Sequence, residues 1–397
     1  MKILQIISSF PPAYSYGGAL KVVSDLSKEL VKQNHSITVY TTDVFDANSR
    51  LHYTNNPEIM DGISVYRFRN ISNFLAHKNF PCAPFMFLSL RKTIQEFDIV
   101  HIHEYRSVQA IFVHHFTKKY HIPYIVQAHG AVLPVFEKQG IKKLFDIFWG
   151  NNILNDASKL IAVSKVEKEQ FLKMGIPENK IEIIPNGIDL SEYEMLPQPG
   201  KIRKKYRIGS DEKIILYLGR LHKRKGLEFL ITSFSNLLDQ HRDARLVIAG
   251  PDDGFLTTMK KKIKDFNIES NVVITGPLNN EEKLEAFVDA DVVVYPGILE
   301  IFGLVPFEAI MCGTPVIVTD DCGCGEIIKE SDGGYLVKFG DITGLSTIIG
   351  EVLTTPHPAH EKVKCGQMYI KENLSWNMLI NRFLTLYHSC SVMKSNS

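Results

Sequence analysis

The stretch that decides the fold of this 397-residue chain is 295–326, YPGILEIFGLVPFEAIMCGTPVIVTDDCGCGE. The apolar run 291–294 before it predicts a buried parallel strand, which a Pro-Gly pair ends. A helix is predicted over 304–312, because Pro306 is tolerated only in a first helical turn. A Gly-Thr-Pro string stops that helix, and the β-branched run 315–319 predicts the next strand. The stretch therefore reads as strand, loop, helix and strand.

Two glutamates of this stretch, Glu300 and Glu308, are predicted to face one ligand site. In a continuous helix they would lie roughly 80° apart around the axis and about 12 Å along it. With Glu300 on the loop, both carboxylates point to the carboxyl end of the strand, where open α/β sheets bind ligands. The amides of Phe302, Gly303 and Leu304 then suit an anion at a helix N-terminus. Two solvated surface glutamates are the bland alternative.

The composition is that of an ordinary soluble protein large enough for two domains. Hydrophobic residues make up 45% of the chain and charged residues 22%, and 45 Lys+Arg against 44 Asp+Glu leave a net charge of +1. This balance argues against nucleic-acid binding by overall charge. The six cysteines lack a disulfide-like rhythm, which suits a reducing compartment, and no second Cys or His pair at zinc spacing accompanies Cys322 and Cys324.

The N-terminus MKILQIISSF has a basic residue and an apolar run, but it is too short for a signal peptide and makes a better first strand. No run reaches about 18 uninterrupted apolar residues, so no membrane span is predicted. We therefore expect a cytoplasmic protein.

Strand–helix alternation runs through the chain twice. Strands are predicted at 2–9, 36–43, 64–68, 98–103, 124–129, 159–164 and 181–185, and then at 213–218, 245–249, 271–275, 291–295, 315–319 and 334–338. Helices are predicted at 18–33, 86–96, 106–119, 136–150 and 165–173, and then at 227–239, 256–266, 280–288, 304–312 and 342–353. This α/β pattern predicts two doubly wound, Rossmann-like domains that face a cleft. A Pro-Asn-Gly turn at 184–189 sets the boundary, giving domains 1–187 and 188–374 and a C-terminal helix with a frayed tail at 375–397.

Two further segments, each between a predicted strand and a predicted helix, contain residues that suit phosphate binding. Gly17 and Gly18 open a helix and can present bare amides to a phosphate, although a plain loop is the alternative. Arg220 and Lys225 lie between a strand and a helix with glycines at both ends, which suits a diphosphate clamp. A solvated basic loop is the alternative there.

Histidines follow two neighbouring strands of the first half. His101 and His103 end one strand, and His129 ends the next. A lone histidine is more often structural than catalytic, but polar residues at neighbouring strand ends favour a site. We find no Ser/His/Asp set among them.

The string from Glu300 to Glu308, continued by Ala309, Gly313 and Pro315, resembles a known signature. It is the E-x7-E motif of a large family of retaining glycosyltransferases of the GT-B fold, glycosyltransferase family 4 or glycosyl transferases group 1. The strings at 17–18, 129–130, 184–189 and 219–226 also match that family's pattern.

The resemblance implies an enzyme that moves a sugar from a nucleoside-diphosphate donor, UDP- or GDP-linked, to an acceptor hydroxyl with retained configuration and without a metal or other cofactor. It implies that the first domain binds the acceptor, a glycan, glycolipid or lipid-linked intermediate of cell-surface polysaccharide synthesis. The second domain then binds the donor, and the last helix crosses back to the first domain.

The resemblance also implies roles for single residues. Glu308 holds the ribose, Glu300 a sugar hydroxyl, and Arg220 and Lys225 neutralise the diphosphate. The reaction centre is implied at His129, Glu300, Arg220 and Lys225. The donor site is implied at Gly17, Gly18, Gly219, Arg220, Lys225, Gly276, Pro277, Leu278, Glu300, Ile301, Phe302, Gly303, Leu304 and Glu308. The family usually has Gly-Gly-x-Pro-Glu where this chain has Cys322-Gly323-Cys324-Gly325-Glu326, so the loop there is expected to differ.

Two basic, aromatic-rich segments, 67–93 and 136–149, raise the question of membrane contact. Such segments can lie on anionic membrane surfaces, here the inner face of the plasma membrane, but core helices with solvated lysines are the alternative. Other readings of the whole chain are a non-catalytic sugar-nucleotide or lipid-binding module and a sugar-nucleotide epimerase or phosphorylase of the same fold. An NAD-dependent oxidoreductase would need a glycine fingerprint that is missing.

Overall fold

The computed structural model describes residues 1–14, 17–46, 49–51, 56–77, 81–134, 138–298 and 300–395. The chain divides into two compact units. The first unit comprises Met1–Gly187 together with Trp376–Ser397, and the second comprises Ile188–Ser375.

The first unit is built on a sheet that is parallel except at one edge. Its strands within the described residues are β1 (Lys2–Ile6), β2 (Ser36–Thr42), β3 (Glu58–Met60), β4 (Ile63–Phe68), β5 (Ile99–His103), β6 (Tyr124–Gln127), β7 (Lys159–Ala162) and β8 (Ile181–Ile183). The order across the sheet is β3-β4-β2-β1-β5-β6-β7-β8, with only β3 antiparallel to its neighbour. The central strands read as apolar runs because helices cover both faces of such a sheet. Gln5, His101 and Gln127 are buried exceptions.

The second unit repeats this plan with a fully parallel sheet. Its strands in the described part of the chain are β9 (Lys213–Leu218), β10 (Ala244–Ala249), β11 (Val272–Gly276), β12 (Val292–Tyr295), β13 (Val316–Thr319) and β14 (Tyr335–Val337). The order is β11-β10-β9-β12-β13-β14. The order reverses between β9 and β12, and doubly wound sheets bind ligands at such a point. The two doubly wound sheets confirm the predicted fold class.

Helices pack on both sheets. In the first unit they span Ala19–Lys32, Asn73–His77, Phe85–Thr93, Val108–Tyr120, Gln139–Phe145, Asn151–Asp156, Lys165–Lys173 and Trp376–Ser395, with a π-helical segment at Asp146–Gly150 and 3-10 turns at Ile94–Glu96 and Glu178–Lys180. In the second unit they span Lys201–Tyr206, Leu227–Leu237, Leu256–Asp265, Asn280–Asp289, Leu304–Met311, Gly323–Ser331, Ile342–Thr354 and Pro356–Tyr369, with 3-10 turns at Leu190–Tyr193, Lys223–Lys225 and Glu269–Asn271 and a π-helical segment at Ile370–Leu374.

The C-terminal helix Trp376–Ser395 packs on the first unit, as predicted. The indole of Trp376 lies so close to Gly187 that a Cβ there would be 2.3 Å from the ring. The Arg382 guanidinium donates to the carbonyl of Ile183. Further along the helix, Tyr387 is fully buried and its hydroxyl lies 2.8 Å from His101 Nδ1.

The helices Asn73–His77, Lys201–Tyr206 and Pro356–Tyr369 were not predicted, and neither were two elements whose local causes are visible. The edge strand β3 is a short antiparallel addition, and only one residue, Met60, of its three is even half-buried. The helix Gly323–Ser331 begins inside the Cys-Gly-Cys-Gly string that the sequence suggested as loop. It can begin there because the Cys322 Sγ accepts a hydrogen bond from the Gly325 amide at 3.3 Å and so acts as N-cap. A thiol is not among the usual N-cap groups, which explains why the pattern gave no signal.

Candidate functional site

The loops that follow β9 and β12 touch each other at the carboxyl edge of the second sheet. Gly226 has a φ of +69°, and a Cβ on it would lie 2.0 Å from the carbonyl oxygen of Pro296, so a side chain would not fit. The Ile298 amide donates to the Arg224 carbonyl at 3.0 Å. These contacts place Lys225, the end of the first loop, beside Glu300 in the second.

Lys225, Glu300 and Tyr295 form one hydrogen-bonded group, here called the Lys225–Glu300–Tyr295 cluster. Lys225 Nζ is 2.7 Å from Glu300 Oε1. Tyr295 donates its hydroxyl to Glu300 Oε2 at 2.9 Å and accepts from Lys225 Nζ at 3.1 Å. The two charged side chains are each 16% exposed, so solvent reaches the pair but does not surround it. A buried phenol thus fixes both predicted reaction-centre groups.

Burial keeps the phenols at this edge protonated. It raises the pKa of Tyr295 well above the usual value, and the nearby Glu300 charge acts in the same direction. Burial and Glu300 likewise raise the pKa of Tyr217, whose hydroxyl donates to the Arg220 carbonyl at 2.9 Å. Both phenols therefore remain donors across the physiological pH range.

The helix Leu304–Met311 begins beside the cluster. Gly303 has a φ of +73°, and a Cβ there would lie 2.9 Å from the Tyr295 ring, so glycine lets the chain pass over the tyrosine. Gly303 occupies the N-cap position and supplies no capping side chain. The first-turn amides of the helix are thus without the side-chain oxygen that usually satisfies one of them. Ile301 and Phe302, just before, are buried.

Glu308, the second glutamate of the motif, pairs with a lysine that was not predicted. Lys283 Nζ lies 2.9 Å from Glu308 Oε1, and the two side chains are 15% and 7% exposed. Lys283 belongs to the helix Asn280–Asp289, which Asn279 and Glu282 start with a capping box. Burial, with the Glu308 charge, raises the pKa of the neighbouring Cys312 thiol to about 12.

Arg220 pairs with a residue outside the Lys225–Glu300–Tyr295 cluster. Its Nη1 lies 2.8 Å from Asp253 Oδ2, and both side chains are 42% exposed. Gly219 packs directly under Gly250, because a Cβ on Gly250 would lie 1.9 Å from the Gly219 carbonyl oxygen. The structure thus pairs Lys225 with Glu300 and Arg220 with Asp253, although the sequence grouped the two cations.

The predicted base-contacting segment follows β11 at the same sheet edge. The Gly276 carbonyl accepts from the Gly250 amide at 2.9 Å and from Thr275 Oγ1 at 2.7 Å. Gly276 has a φ of +74°, and a Cβ there would meet no atom within 4 Å. Pro277 is exposed and Leu278 half-buried. The segment is open and is anchored to Gly250, the residue that packs against Gly219.

In the first unit, His129 ends β6 in a strained turn. Its φ is +50°, and the next residue, Gly130, has a φ of +87°. The Gly130 amide donates to Glu167 Oε1 at 2.6 Å, and the Val163 amide donates to Glu167 Oε2 at 2.8 Å. Burial raises the pKa of Glu167 to about 7 in spite of these bonds. The buried glutamate therefore ties the histidine turn to the end of β7.

Three histidines, His101, His103 and His129, lie together in what we call the histidine cluster. His103 Nδ1 is 2.9 Å from His129 Nε2, and His103 Nε2 is 2.7 Å from Gln5 Oε1. The rings of His101 and His103 are 4.0 Å apart. Burial lowers the pKa of His129 to about 4 and holds the pKa values of the other two well below the ordinary value. All three rings are neutral at pH 7.

Gly17 and Gly18 precede the helix Ala19–Lys32, as predicted. Gly17 has a φ of +106° and open space around its Cβ position, while Gly18 is the N-cap without a capping side chain. The amides of this helix start therefore have no side-chain cap, as at Gly303.

Sequence reasoning did not indicate Gln5 and Glu167 in the groups of the first unit. In the second unit it did not reveal three residues: Tyr295, Lys283 and Asp253. Tyr295 looked like the last residue of a strand, and the two others pair with residues 25 and 33 positions away. Their type alone could not reveal such partners. A strand-end tyrosine directly before the Pro-Gly break was the one available signal.

Two negative findings apply to the described part of the chain. No three His, Cys, Asp or Glu side chains within it are grouped so that they could hold a metal ion. None of its helices combines the length and the apolar character that crossing a bilayer requires.

Two family models match this chain, one over most of the first unit and one over most of the second. The family model described as Glycosyltransferase Family 4 matches residues 16–192. The model described as Glycosyl transferases group 1 matches residues 199–367.

Among curated relatives, an uncharacterized glycosyltransferase of Methanocaldococcus jannaschii is 29% identical, over 98% of this chain and 98% of its own. A GDP-mannose-dependent alpha-(1-6)-phosphatidylinositol monomannoside mannosyltransferase of Mycolicibacterium smegmatis is 28% identical, over 56% of this chain and 60% of its own. Among solved structures, HepE of Anabaena in complex with UDP has a TM-score of 0.77 at 19% identity, over 98% of this chain and 100% of its own. That likeness shows the fold.

Proposed function

Because this chain belongs to the glycosyltransferases of family 4 and group 1, which have the GT-B fold, we propose that it moves a sugar from a nucleoside-diphosphate donor to an acceptor hydroxyl with retained configuration. The observation that carries the proposal is the Lys225–Glu300–Tyr295 cluster at the carboxyl edge of the second sheet. It combines a cation for phosphate with a carboxylate for sugar hydroxyls.

The proposed role of Lys225 is to neutralise the diphosphate as the glycosidic bond breaks. Without donor its charge is balanced by Glu300, which makes a partly dry lysine tolerable. When phosphate takes over that balance, Glu300 becomes available to a hydroxyl of the transferred sugar, while Tyr295 still holds its other oxygen. A preorganised cation of this kind contributes about 10²–10³ in rate.

The proposed role of Glu308 is to accept hydrogen bonds from the donor ribose. Lys283 pairs with Oε1 and holds the carboxylate in one orientation. Gly276, Pro277 and Leu278 are proposed to face the base. The uncapped amides at Gly303 and Leu304, together with Gly219 and Arg220, are proposed to contact the diphosphate. The roles of Gly17, Gly18 and His129 stay predictions.

The proposed mechanism is a same-face substitution. The departing phosphate takes the proton of the attacking acceptor hydroxyl, so no protein nucleophile is required. Arg220 and Lys225 supply the positive charge on the leaving group, and we propose that no metal ion is needed. Measuring the anomeric configuration of the product by NMR tests retention directly, and an inverted product would contradict it.

Names of relatives support the donor and acceptor classes. Similar solved structures hold UDP and UDP-glucose, and one relative is GDP-mannose-dependent, so UDP and GDP both remain in the proposal. An alpha-monoglucosyldiacylglycerol synthase of Streptococcus pneumoniae, 24% identical, and the mycobacterial mannosyltransferase are named for lipid acceptors. We propose a glycan, glycolipid or lipid-linked acceptor of cell-surface polysaccharide synthesis.

The test is thermal stabilisation of the purified chain by UDP, GDP, ADP, CMP, their sugar conjugates and NAD. Ligand at 100 times Kd adds about 2.7 kcal/mol to the free energy of unfolding. We expect one nucleoside diphosphate to raise the melting temperature and both Glu308→Ala and Lys225→Ala to abolish the shift. Lys260→Ala, an exposed lysine of the helix Leu256–Asp265, is the matched control and should keep it. Stabilisation by NAD alone would overturn the proposal.

We further propose that the first unit contacts the inner face of the plasma membrane through residues 139–150. Exposed apolar side chains line this segment, among them Ile147 at 67% and Phe148 at 58%. The exposed Lys143 and the neighbouring Lys119 supply positive charge for anionic lipid. Residues 78–80 and 136–137 of the two segments suggested by the sequence lie outside the described residues.

Vesicle sedimentation tests this contact. The chain should bind vesicles of anionic lipid more tightly than zwitterionic ones, and Ile147→Asp should reduce the bound fraction. Met195, exposed on the second unit, gives the control Met195→Asp, which should bind as the unchanged chain does. Equal binding by Ile147→Asp would exclude this surface.

A further inference from the structure

The start of the helix Gly323–Ser331 carries two thiols that the proposed function does not use. Cys322 and Cys324 are both fully buried and not disulfide-bonded, and their Sγ atoms lie 3.2 Å apart. This distance is shorter than an ordinary contact between sulfur atoms and corresponds to a thiol hydrogen bond. The two groups are thus already in contact across a single glycine.

The hydrogen bonds around the pair make Cys322 the acceptor and Cys324 the donor. Cys322 Sγ donates to the Thr319 carbonyl at 2.9 Å, so its proton is used there. Its lone pairs accept from the Gly325 amide and from the Cys324 thiol. The bond from Cys324 lowers the pKa of Cys322, and the same bond raises the pKa of Cys324. Of the two, Cys322 is the better nucleophile.

The pair is bonded to the loop that carries Glu300. The amide of Gly323, between the two cysteines, donates to the Glu300 carbonyl at 2.7 Å. Thr319 Oγ1 donates to the Gly297 carbonyl at 2.6 Å. Any movement of residues 322–324 therefore acts directly on the backbone of Glu300.

We propose that Cys322 and Cys324 are a redox modification site: hydrogen peroxide converts them to a reversible disulfide, which weakens donor binding by shifting Glu300. This inference rests on the proposed function, because the site that it regulates is the proposed donor site. Because both thiols are fully buried, peroxide reaches them through local opening of this segment.

The chemistry balances in two steps. The Cys322 sulfur attacks one peroxide oxygen and the O–O bond breaks. The departing hydroxide takes the Cys322 proton, which gives a sulfenic acid and one water. Cys324 sulfur then attacks Cys322 Sγ and displaces its hydroxyl, which leaves with the Cys324 proton as a second water. Two thiols are oxidised by two electrons and one peroxide is reduced to two waters. A dithiol reductant reverses the reaction by exchange.

Forming the Cys322–Cys324 disulfide changes the local structure because an S–S bond is shorter than the present distance between the two sulfur atoms. The sulfur atoms must close from 3.2 Å to about 2.05 Å. Cys322 Sγ then loses the proton that it donates to Thr319, and its role as N-cap for Gly325 weakens. Gly323 lies inside the closed ring, so its amide turns away from the Glu300 carbonyl. We expect a loss of about 10-fold in affinity for the nucleotide sugar, the effect of about one hydrogen bond from a sugar hydroxyl to the Glu300 carboxylate.

The experiment uses the full chain, reduced or treated with hydrogen peroxide that is then removed by catalase. Peptide mapping by mass spectrometry should find the Cys322–Cys324 bond as a loss of two hydrogens from one peptide. Isothermal titration with UDP-glucose and with GDP-mannose should give a Kd about 10-fold higher for the oxidised chain, restored by dithiothreitol. UDP and GDP, which lack the sugar that Glu300 is proposed to hold, should change less. Cys312, whose pKa burial raises to about 12, should stay reduced.

Matched variants separate this pair from the other thiols. Cys322→Ser and, as a second variant, Cys324→Ala cannot form the bond, and the Kd of each should not change with peroxide. Cys365→Ser removes a half-buried thiol elsewhere and should respond as the unchanged chain does.

The outcomes distinguish the two proposals. A reduced chain that binds no nucleoside diphosphate overturns the proposed function and this inference with it. A reduced chain that binds, together with an oxidised chain of equal Kd or without the Cys322–Cys324 bond, overturns this inference alone. A peroxide-dependent Kd that persists in both variants assigns the effect to another residue and also overturns it.

Discussion

The two units bury polar side chains near the carboxyl ends of their strands, but with opposite electrostatics. The histidine cluster of the first unit is neutral at pH 7, because burial holds its pKa values low. The second unit buries ion pairs instead, Lys225 with Glu300 and Lys283 with Glu308. The histidine cluster therefore resists charge, although the first unit also buries the ion pair Arg106–Asp146, and the ion pairs of the second unit hold charge beside the proposed site of an anionic ligand.

The comparison teaches where each unit is vulnerable. A neutral cluster is disrupted by protons, since a buried imidazolium has no counter-charge beside it. An ion-pair cluster is disrupted by loss of one partner, since the other charge is left unbalanced. Substitutions and pH should therefore affect the units differently.

The largest effect on activity is expected from Lys225→Ala in the second unit. We expect donor turnover to fall by about 10²–10³, because in the proposed mechanism the leaving diphosphate loses its preorganised cation. Release of nucleoside diphosphate at saturating donor measures it.

The control for this experiment is Lys260→Ala, which should turn over donor at the unchanged rate. A Lys225→Ala variant with the same turnover would show that the Lys225–Glu300–Tyr295 cluster is only structural.

Acid should act against the histidine cluster of the first unit. The pKa of His129 is about 4 in the fold and about 6.5 in an unfolded chain, so the unfolded state binds more protons between these values. The free energy of unfolding therefore falls as pH falls from 6.5, by about 2 kcal/mol at pH 4.5 for this group. Urea unfolding of the unchanged chain and of His129→Gln at both pH values isolates its contribution.

Buried glutamates of the same unit act in the opposite direction. Burial raises the pKa values of Glu104 and Glu167 to about 7, so the folded state binds more protons there and gains stability as pH falls to 4.5. Glu104 and Glu167 are present in the unchanged chain and in His129→Gln. The difference between these two proteins in the pH dependence of the free energy of unfolding therefore still measures the contribution of His129. An equal pH dependence in His129→Gln would mean that His129 is protonated in the folded state.

A double-mutant cycle sharpens the account of the second unit. Lys283→Met and Glu308→Gln, alone and combined, should give a coupling free energy of about 1–2 kcal/mol, because the pair is almost buried. Urea unfolding at pH 7 measures it. A coupling near zero would mean that water screens the pair.

The exposed ion pair of Arg220 and Asp253 should contribute least to stability. Asp253→Asn removes the partner of Arg220, but both side chains are 42% exposed, so stability should change by less than about 1 kcal/mol. Its melting temperature at low and high salt is the measurement. A larger loss of stability would mean that the Arg220–Asp253 pair contributes as much as the buried Lys283–Glu308 pair.

Much of the fold was predictable because it depends on local patterns. Apolar β-branched runs gave the parallel strands, and the Pro306 and Gly313 positions bounded the helix between β12 and β13. The thiol cap at Cys322 and the edge strand β3 carried no such pattern. The resemblance supplied the motif residues, but the partners Tyr295, Lys283 and Asp253 appear only when distant segments meet. Sheet register, which pairs His103 with Gln127 and so brings His129 near, is equally invisible in sequence.

The C-terminal helix has a consequence for how the protein is made. Its Trp376 fills the space over Gly187, and its Tyr387 contacts the buried His101, so the first unit lacks these parts until the whole second unit has been synthesised. At 5–20 residues per second, a ribosome needs roughly 10–40 s for that interval. During it, the nascent first unit exposes the sheet face that the helix later covers. Chaperones thus have a defined window, and a target, on every chain that is translated.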